Sequence, residues 1–229
     1  MLRFENVTMA QADFTLTADF AHAAGRRAAV IGPSGAGKST LLAAIGGFLA
    51  PVTGRILWQE EDITGCAPGA RPVAMLFQQH NLFPHLSIAQ NVGLGISPQL
   101  RLSDAAHARV KEALARVRLE RFGDRRPGAL SGGQQSRAAL ARVLVQARPL
   151  LLLDEPFAAL GPALRRDMLD LVSELVSETG ATLLMVTHAP EDVARIADDV
   201  IFVDAGRAVA PQSAKNLMAN PPPALQAYL

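Results

Sequence analysis

Residues Gly32, Pro33, Ser34, Gly35, Ala36, Gly37, Lys38, Ser39 and Thr40 have the spacing G-x-x-x-x-G-K-[ST]. The chemistry of that spacing is phosphate binding. Glycines let the backbone wrap an anion and turn successive N–H groups inward. A helix opening at the lysine adds partial positive charge. Lys38 is placed to bridge β- and γ-phosphates, and the Ser39 hydroxyl to ligate Mg²⁺. The run Leu150-Leu-Leu-Leu-Asp154-Glu155 reads as an apolar strand ending in two carboxylates. Beside a phosphate loop, Asp154 can hold Mg²⁺, directly or through water. Glu155, one residue on, can polarise a water for in-line attack. Ser131, Gly132, Gly133 and Gln134 precede the helical stretch Gln135–Gln146 and make a second helix N-terminus able to face an anion, without a lysine.

These groups need elements to hold them. Short apolar runs alternate with helical patterns, which predicts an α/β fold. The expected strands are Leu2–Thr8, Arg27–Ile31, Val73–Phe77, Leu150–Asp154, Thr182–Thr187 and Asp199–Val203, with a turn at Asp204-Ala-Gly-Arg207 into a short strand near Ala208–Ala210. Several are apolar throughout, as in strands covered on both faces. Expected helices are Lys38–Ala50, Ser103–Leu119, Pro162–Thr179 closed by Gly180, and Pro190–Ala197. The stripe of the Pro162–Thr179 helix reads as Leu164, Met168, Leu171, Val172 and Leu175. From about Pro84 to Gln146 no strand pattern occurs. The expected organisation is one domain over 1–229, with a core at about 1–83 and 147–229 and a helical subdomain inserted at about 84–146. Residues Arg101 to Arg126 hold eight basic and four acidic side chains, a solvated face or a docking surface.

Composition narrows the classes. The chain has 229 residues, 49% hydrophobic and 19% charged, an ordinary globular mix rather than a disordered one. Lys+Arg 22 against Asp+Glu 21 leaves a net charge of +1, so no basic excess points to nucleic acid. One cysteine, Cys66, excludes an intramolecular disulfide framework. The uncharged windows Ser39–Gly54 and His80–Leu100 are broken by glycine, proline and polar residues, short of the ~20 mostly apolar residues that span a bilayer.

Taken together, the motifs resemble the ATP-binding-cassette (ABC) ATPases over nearly the whole chain. Residues 32–40 match the family's Walker A, 131–134 its signature and 150–155 its Walker B. The resemblance implies an α/β P-loop NTPase fold, ATP and Mg²⁺ as cofactors, and ATP hydrolysis. It adds Gln78 as the glutamine that reaches Mg²⁺ and the attacking water, and His188 in Val186-Thr-His as the switch that contacts the γ-phosphate. The catalytic set is thus Glu155, His188 and Gln78, and the metal set Ser39, Gln78 and Asp154. The family also implies a head-to-tail homodimer, each ATP lying between one Walker A and the other chain's signature.

Three departures stand out. The family stacks adenine on an aromatic about two dozen positions before Walker A. Here Met9-Ala-Gln11 falls near that spacing, and Phe14 is the nearest aromatic, so Met9 and Phe14 both remain open. The loop after Walker B usually reads Ser-Ala-Leu-Asp and here is Ala158-Ala-Leu-Gly161, whose glycine is a weaker cap. The signature continues Gln135-Ser136-Arg137 where Arg-Gln-Arg is usual.

A lone cassette is similar to the separate ATPase subunit of a bacterial importer. The stretches Arg71-Pro-Val-Ala-Met-Leu-Phe-Gln, Asn81-Leu-Phe-Pro-His-Leu-Ser-Ile-Ala-Gln-Asn-Val-Gly-Leu-Gly and Leu183-Leu-Met-Val-Thr-His look like the thiamine-importing branch. The resemblance implies uptake of thiamine and its phosphates, with other small solutes (iron, sulfate, polyamine) as the alternative. It also implies an integral-membrane permease as partner, a periplasmic solute-binding protein indirectly, no nucleic acid, and a peripheral place on the cytoplasmic face of the inner membrane. A DNA-repair cassette would carry a long coiled coil where only about ninety residues separate Thr40 from Ser131. A translation-factor cassette would be tandem, and a small-molecule kinase would lack Ser131–Gln134.

Overall fold

The computed structural model describes residues 1–79, 81–221 and 223–226. At its centre lies β3 (Arg27–Ile31), apolar beyond its first residue and buried there. It pairs in parallel with β8 (Thr182–Val186) on one side and β9 (Asp199–Asp204) on the other. Beyond β8 come β7 (Leu150–Asp154) and then β6 (Val73–Leu76), also parallel. Asp154 is thereby in register with Val186, which puts the ends of β7 and β8 side by side.

The N-terminal strands extend this sheet. β1 (Leu2–Gln11) pairs antiparallel with β2 (Phe14–His22) and with β4 (Thr53–Trp58), and β4 with β5 (Glu61–Asp62). β10 (Arg207–Ala208) joins β2 to β9, and β11 (Gln212–Ser213) also pairs with β9. Strands β2, β4, β5 and β11 were not anticipated. The sequence of β2 does carry a period of two: Leu16, Ala18 and Phe20 are buried, while Thr15, Thr17 and Asp19 face out. β1 also runs three residues past the expected Thr8, because the hairpin with β2 continues to Gln11.

Helices cover both faces. α1 (Lys38–Gly46) stops short of the expected Ala50. Gly47 takes φ 82 and its N–H bonds back to the carbonyls of Ala43 and Ala44. The other helices are α2 (Ile88–Gly93), α3 (Asp104–Arg116), α4 (Gly132–Leu144), α5 (Pro162–Thr179), α6 (Pro190–Ile196), α7 (Ala214–Ala219) and α8 (Pro223–Gln226). The chain between β6 and β7 carries α2, α3 and α4, with no strand among its described residues. One core cluster joins α2–α5 to Leu76, Leu151 and Leu153 under the sheet. A second joins α1 to β1, β2 and the opposite face of β3, β7 and β8. The buried stripe of α5 is Met168, Leu169, Val172, Leu175 and Val176. It is rotated from expectation, since Leu164 and Leu171 are only half-buried. Among the described residues no helix is long and apolar enough to cross a membrane. His80, which opens one of the uncharged windows, lies outside the described residues.

Candidate nucleotide site

The phosphate loop is fixed by close approach. Gly32 has φ 149, and a Cβ there would come within 1.9 Å of the Val203 carbonyl oxygen on β9. Any side chain would push the loop off the sheet. Gly37 is left-handed at φ 104 and caps α1 through geometry alone, with no side-chain hydrogen bond. Lys38 is buried, and its Nζ donates to the carbonyls of Gly32 and Pro33, 2.8 Å each. The ammonium is therefore held at the head of its own loop. Burial pulls its pKa below the ordinary lysine range, while Glu155 and Asp154 push back.

Ser39 in the first turn of α1 meets Asp154 at the end of β7: the Ser39 hydroxyl donates to Asp154 Oδ1 at 3.2 Å. Asp154 closes β7 and is 9% exposed, and burial raises its pKa against the opposing Ser39 bond. Glu155, the next residue, turns left-handed at φ 44, an uncommon conformation for a side chain of its size. Its N–H bonds to the Val186 carbonyl, so the turn is fastened to β8. One carboxylate oxygen of Glu155 accepts from Gln78 Nε2 at 3.3 Å. The other is in hydrogen-bond contact with the imidazole of His188. Lys38, Ser39, Gln78, Asp154, Glu155 and His188 therefore converge from four segments of the chain. A carboxylate and a hydroxyl at 3.2 Å are hard oxygen donors, the set Mg²⁺ selects when phosphates and water complete its shell.

The Ser131–Gln134 segment opens a different element, α4. Ser131 is the N-cap of α4 and forms a capping box with Gln134. The helix begins at Gly132 rather than at the expected Gln135, so both glycines lie in its first turn. Gly133 abuts α5: a Cβ there would meet Leu164 Cδ2 at 2.2 Å. Ser131 and Gly132 are exposed.

Of the adenine candidates, Met9 is fully buried in the core and presents no surface to a ligand, which corrects that expectation. Phe14 is half-buried beside the loop, its ring atoms 2.8 Å from a Cβ built on Gly37. Gly161 is the N-cap of α5 and supplies no side-chain bond, as its identity implies.

Sequence reading missed the cluster behind His188. Asp192 is 5% exposed, and its Oδ2 accepts from Thr187 Oγ1 (2.5 Å) and from Arg165 Nη2 (2.5 Å) and Nε (3.2 Å). A short apolar strand followed by Thr-His gives no local sign that an arginine 22 residues earlier will bond that threonine.

A sequence profile described as ABC transporter matches residues 17–158. The thiamine import ATP-binding protein ThiQ of Cereibacter sphaeroides is 62% identical over 229 residues, covering 100% of this chain and 99% of that protein. ThiQ of a Ruegeria species is 57% identical over the same length, again 100% and 99%. A solved structure described as a dimeric post-hydrolysis state of the ATP-binding cassette MJ0796 bound to ADP and Pi has a TM-score of 0.81 and 29% identity, covering 93% of this chain and 99% of that one.

Proposed function

The chain belongs to the ABC transporter family, and from that membership we propose that it is the ATP-binding and ATP-hydrolysing subunit of an importer for thiamine and its phosphates. The observation that carries the hydrolytic role is the Glu155 carboxylate, gripped on one oxygen by Gln78 and contacted on the other by His188. A base held on two sides is oriented before substrate arrives.

In this reading, the backbone N–H groups of 32–40 and the α1 N-terminus receive the phosphates, and Lys38 bridges the β- and γ-groups. Ser39 and Asp154 would hold Mg²⁺ with Gln78 nearby, and the bound ion would supply positive charge against that developing on the γ-phosphate. Glu155 takes the proton of the attacking water, ADP leaves, and inorganic phosphate forms. His188 donates to the γ-phosphate. The exposed Ser131 and Gly132, with Gly133 and Gln134, cover the nucleotide of a second copy of the chain, giving a head-to-tail homodimer whose closure depends on the γ-phosphate. Residues 84–146 act as a helical subdomain that carries this signature.

The partner is an integral-membrane permease, reached from the cytoplasmic face, with a periplasmic solute-binding protein delivering cargo. The thiamine assignment is supported by the ThiQ relatives and by no residue that touches cargo, because a cassette meets ATP and permease only. Labelled-thiamine uptake in cells deleted for the chain, restored by wild type but not by Glu155→Gln, tests it. Unchanged thiamine uptake in the deletion strain rejects this cargo.

A further inference from the structure

We propose that Arg165, Asp192 and Thr187 form a positioning cluster that sets the turn carrying His188 and ties that turn to the first turn of α5. His188 is flanked by anchored residues on both sides. Thr187 is 3% exposed, donates to Asp192 Oδ2, and accepts from the Ala189 N–H (3.2 Å) and from Arg165 Nη2 (3.2 Å). Ala189 in turn accepts from the Asp192 N–H at 3.1 Å. One buried carboxylate oxygen therefore collects three donors, drawn from β8's end and from α5. A charge buried this way is costly to leave unpaired, so the cluster has one favoured arrangement.

The imidazole itself is partly exposed, at 41% of its side chain, and reaches out to Glu155. An exposed ring on a loose turn would sample many orientations. Here the turn has few, and the ring inherits them. Arg165 adds the longer connection. It lies one helical turn after Gly161, and its N–H bonds the Gly161 carbonyl at 2.9 Å. α5 has no side-chain cap at Gly161, and the Arg165 guanidinium bonds its first turns to Thr187 and Asp192 on either side of His188. A cavity of about 240 Å³ opens among Glu155, Arg165, Thr187, His188 and Asp192, which leaves room for the turn to shift when α5 does. The inference rests on the reading that His188 serves the γ-phosphate.

The test is a double-mutant cycle on the full chain, followed by single-turnover hydrolysis of labelled MgATP. Thr187→Val keeps the shape and removes the hydroxyl. Thr187→Ser keeps the hydroxyl. Asp192→Asn keeps the volume and removes the charge. Thr187→Val and Asp192→Asn should each slow hydrolysis about tenfold, as expected for a mispositioned group. Their Kd for MgATP should stay within about twofold, and Thr187→Ser should hydrolyse like wild type. In a His188→Ala background the same changes should add no further loss, since the cluster acts through that ring. Equal losses in both backgrounds, or losses of binding and melting temperature that parallel the rate, would overturn the proposal in favour of a purely structural cluster. Unchanged hydrolysis in Thr187→Val would overturn it as well. Wild-type hydrolysis by His188→Ala alone would instead remove His188 from the chemistry, and the cluster's role with it. If Asp192→Asn does not fold, the Thr187 pair decides.

Discussion

Phe14 packs its ring against Gly37: Cε1 and Cζ stand 2.8 Å from the position a Cβ would take on that glycine. The tip of the β1–β2 hairpin and the last residue before Lys38 are thus in direct contact. The glycine has two reasons to be there, the ring and its φ of 104. Gly37→Ala should raise the Kd for MgATP at least about tenfold, since a left-handed alanine costs about 1–2 kcal/mol before any collision. Measured against Phe14→Ala alone, so that any adenine contact of the ring cancels, the double variant should recover the steric part and leave the backbone part. Titration of these variants with MgATP checks this. Full recovery in the double variant would mean that backbone conformation contributes nothing.

Glu155→Gln keeps the shape of the side chain beside Gln78 but removes the carboxylate proposed as the base. Turnover should fall by about 10²–10⁴-fold, the range general-base catalysis supplies. MgATP binding should persist, and an ATP-bound dimer should accumulate in size-exclusion chromatography. Chelating Mg²⁺ from wild type should also stop hydrolysis. Near-normal turnover by the variant would exclude Glu155 as base.

Gly161→Asp meets no steric barrier, because nothing lies within 4 Å of a Cβ built there. The gain in stability should be a few tenths of a kcal/mol, the usual difference between Asp and Gly caps. Hydrolysis in the permease complex should rise about fivefold, equivalent to about 1 kcal/mol of better alignment at the dimer interface. A rate at or below wild type, with the dimer intact, would show that this carboxylate is not limiting.

His22 is 1% exposed, its Nε2 lies 3.3 Å from the Arg26 carbonyl oxygen, and its Nδ1 has no hydrogen-bond partner among the described residues. Burial holds its pKa below 6.5, although Asp199, at 3.8 Å, opposes this. The unfolded chain then binds more protons than the folded one below pH 6.5. Stability from the neutral ring is present above that pH and is lost as pH falls toward the folded value, at no more than about 1.4 kcal/mol per pH unit. Melting temperature should drop less between pH 7.5 and 5.5 for His22→Gln than for wild type. Parallel curves would assign the acid sensitivity elsewhere.

Phe83 is 46% exposed, yet the loop that presents it is tightly organised. Buried Asn91 accepts from the Phe83 N–H and donates to the carbonyls of Phe83, Leu86 and Ser87. Phe83→Ala should therefore leave the loop and basal hydrolysis intact while weakening co-purification with the permease. Equal recovery of the complex would place docking elsewhere.

The parts legible in the sequence are those whose signals are local. The spacing Gly32–Thr40, the apolar run into Asp154-Glu155 and the parallel core strands all sit within one element or its end. What escaped depends on partners distant in sequence. Arg71 looks like an ordinary charged residue before β6. It is 1% exposed, and its guanidinium donates to the carbonyls of Ala44, Ile45, Thr64 and Cys66. No carboxylate announces that cage. The start of α4 was misjudged for a different reason. Glycines read as loop, yet the Ser131–Gln134 capping box outweighs their poor helix propensity.

The position of β3 has a consequence for the order in which the protein can assemble. The strand that launches the phosphate loop pairs with β8 and β9, and Arg27 bonds Asp198 across 171 residues. A nascent chain therefore holds the complete loop sequence long before either neighbouring strand has been synthesised. Contacts this distant in sequence form late and slowly. During that interval an apolar strand waits with both edges unpaired, a hazard for aggregation and a natural target for chaperones. A fragment ending before Thr182 would carry the motif in full and have neither of the strands that flank β3.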